Sequence, residues 1–155
     1  MADSRKLKAF WRAFRESTSR ESLPERYNDA WGFGNTPKMA DELGALVVDG
    51  VKTATCGLLW QFEAENEPLP KVGDLDIVLD GNGDPLCVIE LTEVEIKPYN
   101  EVDAQFAYEE GEGDRSLDYW RKLHWEFFGE ICEEIGRELD EAMPLVCQRF
   151  RVVYS

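Results

Sequence analysis

Apolar positions along the chain alternate between helical and strand periods, and the change of period marks the elements. Leu7, Phe10, Trp11 and Phe14 recur at three- and four-residue spacing, one face of an amphipathic helix. Arg5, Lys6, Lys8, Arg12 and Arg15 surround that face and read most simply as its solvated side. Ser19 to Asn35 holds Pro24, Gly32 and Gly34, which predicts a short helix or loop followed by a turn. Thr36-Pro37 supplies a hydroxyl N-cap and a proline at the first helical position. Met39, Leu43, Leu46 and Val47 form the buried stripe of that helix, and Gly50 ends it as a left-handed cap.

Thr53 to Phe62 follows as a strand. Pro68 to Asp74 is a turn, and Leu75 to Leu79 a second strand. Gly81-Asn82-Gly83-Asp84-Pro85 predicts a hairpin, with Leu86 to Ile96 returning. Asn100 to Tyr108 reads as a short helix, broken by the acidic loop Glu109-Glu110-Gly111-Glu112-Gly113-Asp114. Ser116 then caps a long helix whose inner face carries Leu117, Trp120, Leu123, Phe127, Ile131 and Ile135, widened by Trp125 and Phe128. Val146, Phe150, Val152 and Tyr154 alternate along a last strand. Helices, strands, helices and a final strand, with no repeat and no linker, predict one α+β domain on a curved or closed, antiparallel or mixed sheet.

Composition narrows the function. A chain of 155 residues with 43% hydrophobic content suits one globular domain. No apolar run approaches the roughly 20 residues of a membrane helix. Residues 1–14 mix charge with aromatics and lack the apolar centre of a signal peptide, so a cytoplasmic location and no membrane partner are expected. Cys56, Cys87, Cys132 and Cys147 are widely spaced and accompany a single histidine, His124, which argues against a zinc site. They read as buried or half-buried thiols. The net charge of −15 weighs against a protein that tracks a nucleic-acid backbone. A local pocket for a ligand of little charge remains compatible with it.

The chemistry concentrates at Leu46-Val47-Val48-Asp49-Gly50-Val51-Lys52-Thr53-Ala54-Thr55. A helix ends in glycine, a lysine follows, and a strand opens on alternating threonines. This resembles the ASCH domain, with its Gly-x-Lys junction. Three further segments agree in order: Trp31-Gly32-Phe33-Gly34 before the helix, Val72-Gly73-Asp74 opening the second strand, and Ala107-Tyr108-Glu109-Glu110-Gly111-Glu112-Gly113-Asp114 followed by Ser116-Leu117 and Trp120, as in longer bacterial members. The resemblance spans residues 27–154 and leaves residues 1–26 as a helical extension packed on the domain. It implies a PUA-like β-barrel with flanking helices and a pocket for RNA or a nucleoside.

Members of that family are associated with RNA binding, with cleavage of single-stranded RNA and with deacetylation of N4-acetylcytidine. In the deacetylase type a lysine, a threonine three residues on and a loop glutamate form the catalytic set. The resemblance thus implies Lys52, Thr55 and Glu110, with Glu109 and Glu112 as substitutes for the glutamate. Trp31, Phe33 and Trp60 are aromatics that can either stack on a base or belong to the core, and Trp31, Phe33, Thr53 and Glu112 are the candidate substrate-binding residues.

These residue types suit hydrolysis. A threonine hydroxyl needs a base before it attacks. A lysine serves as that base if its pKa is depressed, or stabilises an oxyanion if it stays charged. A carboxylate orients the lysine or shuttles a proton. In a regular strand Lys52 and Thr55 fall on opposite faces, so Lys52 must precede the strand or a bulge must intervene. No cofactor is expected, although the acidic loop leaves a divalent cation open. The primary expectation is a small hydrolase of N4-acetylcytidine type. A single-stranded RNA ribonuclease and a non-catalytic RNA- or nucleotide-binding module are the alternatives, and the partner in each is a nucleoside or single-stranded RNA.

Overall fold

The computed structural model describes residues 3–155. Asp3 accepts the backbone N–H of Arg5 and starts α1 (Ser4–Ser17). Leu7, Trp11 and Phe14 of α1 pack against Leu75, Ile77, Leu79 and Val88 of the sheet, so the extension shares the domain's hydrophobic core. Then come β1 (Asp29–Gly32), α2 (Pro37–Val48), β2 (Ala54–Leu58), α3 (Leu59–Ala64), β3 (Leu75–Leu79) and β4 (Pro85–Pro98). A 3-10 turn (Tyr99–Glu101), α4 (Ala104–Glu110), α5 (Leu117–Ile135) and β5 (Pro144–Tyr154) complete the chain.

The five strands form one curled sheet in the order β1-β3-β4-β5-β2. β1 runs parallel to β3 and every other pair is antiparallel. The register of long β4 against β5 shifts at Val88/Ile89 and again at Leu91/Glu93. Such irregularities bend a strand and raise its twist, which rolls the sheet into a half-barrel. Phe33, Val47, Val78, Ile89, Leu91 and Phe150 form a buried cluster between the sheet and α2. A separate cluster joins β2 and β5 to α4 and α5 through Leu58, Leu145, Phe106, Trp120 and Phe128. No described helix is long and apolar enough to cross a membrane.

The caps at Thr36 and Ser116, the left-handed Gly50 and the hairpin turn lie where the sequence places them. Three boundaries differ. Residues 29–32 form a strand rather than a turn: four residues with two half-buried positions carry no legible alternation, and pairing with β3 supplies the regularity. The strand expected over Thr53–Phe62 stops at Leu58, which pairs with Leu145. β5 begins one residue away, at Pro144. With no partner left to pair, the chain coils into α3. Glu109 and Glu110 belong to the last turn of α4, not to a flexible loop, and Gly111 at φ 77° closes that helix.

Candidate functional site

Lys52 reaches the interior because of how α2 ends. Asp49 caps the helix, Gly50 takes φ 79°, and the N–H groups of Val51 and Lys52 both donate to Leu46 O, at 2.9 and 3.1 Å. The chain reverses and Lys52 stands before the first residue of β2, so the alternation of the strand does not govern it. The end of α4 lies alongside, tied by Thr53 N–H to Glu109 O at 2.8 Å. Gly111 makes that approach feasible. A Cβ there would sit 2.9 Å from Val51 O, and the backbone is left-handed. Arg115 pins the junction by donating to Tyr108 O and Val51 O.

The Lys52 side chain is 1% exposed. Its ammonium has three protons and three acceptors: Glu110 Oε1 at 2.8 Å, Glu110 O at 3.2 Å and Glu112 Oε2 at 3.4 Å. The ring of Phe33 lies 5.3 Å from Nζ. Burial works against the charge, but the carboxylates of Glu110 and Glu112 outweigh it and hold the lysine above its ordinary pKa. Lys52 is therefore a charged group and not a neutral base.

Glu110 is the hub. Its Oε2 accepts Trp120 Nε1–H at 2.7 Å and the Cys56 thiol at 3.2 Å, and His124 Nε2 lies 3.4 Å away. His124 donates Nδ1–H to Trp120 O at 2.8 Å, since a carbonyl can only accept, and its ring stacks on Trp120. Burial raises the Glu110 pKa, yet Lys52, His124 and these donors more than offset it and leave it low. The Cys56 thiol is driven well above its usual value by burial and by Glu110, so it stays protonated and unreactive. Cys56, Glu110 and His124 are the three groups whose donor atoms lie close enough, within 4.8 Å, to hold a metal ion among the described residues. The Lys52 ammonium already supplies a cation to that carboxylate.

These residues border a cavity of about 770 Å³, within the usual size of small-molecule sites. Trp31, Phe33, Thr55 and Glu112 line it with Lys52 and Glu110. Trp31 and Phe33 meet edge to face, with ring centroids 4.6 Å apart. Thr55 shares the wall, but its hydroxyl makes no hydrogen bond to Lys52 or Glu110. Thr53 lies off the wall, its hydroxyl 3.5 Å from Glu109 O. Glu109 also turns away: Arg149 Nε donates to it at 2.8 Å. The acidic segment thus divides, with Glu109 on Arg149, Glu110 and Glu112 on Lys52, and Asp114 accepting Ser116 N–H. Cys87, Cys132 and Cys147 are buried free thiols and Cys56 is half-buried.

Several lining residues escape sequence reasoning. Asp76 of β3 accepts Asn28 Nδ2–H and Trp31 Nε1–H, each at 2.9 Å, and burial pushes its pKa up despite both bonds. Asp76 and Gln148 are polar residues inside buried strand runs, and that mismatch is the signal each offers. Trp120, His124 and Phe128 recur every four residues, which puts the histidine on the inner face of α5.

A mixed, curled half-barrel of five strands flanked by helices, with a lysine–glutamate pair at its cavity, is a fold of the PUA-like class. The chain belongs to the ASCH domain family, whose model matches residues 29–154. It is similar to the crystal structure of the ASCH domain from Lactobacillus crispatus JV V101, with 36% identity, a TM-score of 0.90, and coverage of 99% of this chain and 97% of that one. It is also similar to protein EF3133 from Enterococcus faecalis V583, with 41% identity, a TM-score of 0.87, and coverage of 98% and 90%. A hypothetical protein, PH0355, shares the fold at 15% identity and a TM-score of 0.53, covering 80% of this chain and 97% of that one. No curated protein matches the sequence.

Proposed function

We propose that the cavity is the active site of a hydrolase acting on an amide of a modified nucleoside, of the N4-acetylcytidine type. The observation that carries this reading is the buried Lys52 ammonium, 2.8 Å from Glu110 and facing a cavity of about 770 Å³. A cation held charged and preorganised at the wall of a cavity is suited to stabilise the oxyanion that forms when an amide carbonyl is attacked. Glu110 fixes the ammonium. Glu112, at 3.4 Å the more distant carboxylate and the more exposed of the two, is the partner that a substrate oxygen displaces. Once displaced, it is the carboxylate with room to take up the proton of the attacking group. Thr55 supplies the hydroxyl nucleophile on the same wall: its oxygen bonds to the acyl carbon, the proton taken by Glu112 passes to the exocyclic nitrogen as the C–N bond breaks, and water then hydrolyses the acyl-threonine to release the acid.

The family is generally RNA-binding, but the net charge of −15 favours a small, nearly neutral substrate over a long polyanion. The test is release of cytidine from N4-acetylcytidine, followed chromatographically, by wild type and by Lys52→Met. Turnover by wild type with loss of about 10³-fold in the variant is expected. Absence of turnover by pure wild-type protein would remove the amidohydrolase reading.

A further inference from the structure

Gln148 sits in the middle of β5, 8% exposed, and lines the same cavity. A carboxamide offers two N–H donors and one acceptor oxygen, and buried polar groups are normally paired. No hydrogen bond among the described residues uses this side chain, and none of its polar atoms is sealed from solvent. Its free donors and acceptor therefore open into the cavity.

Its neighbours on the sheet are telling. In the β2–β5 register Gln148 stands directly opposite Thr55. Cross-strand partners share a face, with Cβ atoms about 4.5–5.5 Å apart. On its other side Gln148 faces Val94 of β4, which packs with the apolar floor around Phe33 and Phe150. A carboxamide beside a free hydroxyl, on an apolar floor, is arranged to hold the polar edge of a flat ring.

We infer that Gln148 is the residue that reads the substrate. Its Oε1 accepts the exocyclic N–H of an amino-substituted base, and its Nε2–H donates to the adjacent ring nitrogen. A bidentate amide of this kind is how side chains recognise a donor next to an acceptor on a base edge. This inference rests on reading the cavity as a nucleoside site and adds the recognition element. It requires a substrate whose exocyclic amine keeps an N–H.

The experiment measures binding rather than hydrolysis, by calorimetry, with two unreactive probes: cytidine, and N4,N4-dimethylcytidine, which has no exocyclic N–H. Wild type should bind cytidine about tenfold or more tighter than the dimethyl analogue, because the analogue leaves a buried acceptor unpaired. Gln148→Leu should bind cytidine about tenfold more weakly than wild type and discriminate little between the two. The wild-type comparison stands without the variant if Gln148→Leu folds poorly. Equal affinity of wild type for both probes, undiminished cytidine binding by a folded Gln148→Leu, or no cytidine binding at all overturns the inference. Cytidine discrimination without any N4-acetylcytidine turnover would leave Gln148 as the reader and remove only the hydrolase. Turnover that Gln148→Leu leaves unchanged would do the reverse.

Discussion

Lys52 and Glu110 meet at 2.8 Å with side chains 1% and 2% exposed, so neither charge has water to fall back on. Removing one partner of such a pair strands the other and typically costs about 3–5 kcal/mol, while removing both costs far less than the sum. Lys52→Met and Glu110→Gln should each lower the unfolding free energy by about that much, and the double variant should fall well short of additivity. Urea denaturation of the four proteins provides the cycle. Additive losses would mean that the two side chains do not act as a unit.

The same pair sets the pH response. The folded pKa of Glu110 lies below its ordinary 4.5. Its contribution is complete above pH 4.5 and disappears as pH falls through the lower folded value. Lys52 lies above its ordinary 10.5. Its contribution is complete below pH 10.5 and is lost only as pH rises through the folded value. The melting temperature of wild type, relative to Glu110→Gln, should therefore hold steady from pH 5 to 10, drop in acid as Glu110 is protonated, and drop again in strong alkali as Lys52 loses its proton. The rate profile should show no alkaline limb from Lys52 below about pH 10. A limb near neutrality that disappears in Lys52→Arg would instead identify the lysine as a base.

Trp120 gives a sharper check on Glu110. Its indole N–H reaches Oε2 at 2.7 Å, and a hydrogen bond to a charged group is worth about 1.5–3 kcal/mol. Trp120→Phe should destabilise by about that amount. Since the indole helps keep the Glu110 pKa low, acid unfolding should also move to higher pH. If the acid transition is unmoved, the indole does not hold the carboxylate ionised.

Local signals made much of this architecture legible. Thr36-Pro37, Gly50 and Gly81–Pro85 act within a few residues and end up where their chemistry puts them. β1 and the early end of β2 were not legible, because pairing partners far along the chain decide them. Motif order points to Lys52, Thr55 and Glu110, and all three border one cavity. What the order could not convey is that Glu110 is a helical, fully enclosed hub. That follows from Gly111, whose missing side chain lets α4 close on Val51, and from Trp120 and His124 converging from α5. Gln148 was hidden for a simpler reason: a glutamine in a strand carries no mark until the space in front of it is seen.

Glu112 separates geometry from stability. At 3.4 Å from Lys52 and 13% exposed, it contributes less than Glu110, which still neutralises the ammonium. Glu112→Gln keeps an acceptor and should cost about 1 kcal/mol or less. As the displaced partner and proton acceptor, however, its loss should slow N4-acetylcytidine turnover about 10²-fold. A rate equal to wild type would assign the proton to another group.

Thr55 decides the route of the reaction. Its hydroxyl has no hydrogen-bond partner among the described residues, and it sits at the cavity on a regular strand that valine suits equally well. Thr55→Val removes one oxygen and should leave the melting temperature within a few degrees of wild type. If the hydroxyl is the nucleophile, kcat falls about 10³-fold or more, while Thr55→Ser retains measurable activity and an acetylated enzyme is detectable by rapid-quench mass spectrometry of wild type. If Thr55→Val keeps most of the wild-type rate, a water polarised at the Lys52 end makes the attack, and Thr55 is left as a wall of the site beside Gln148.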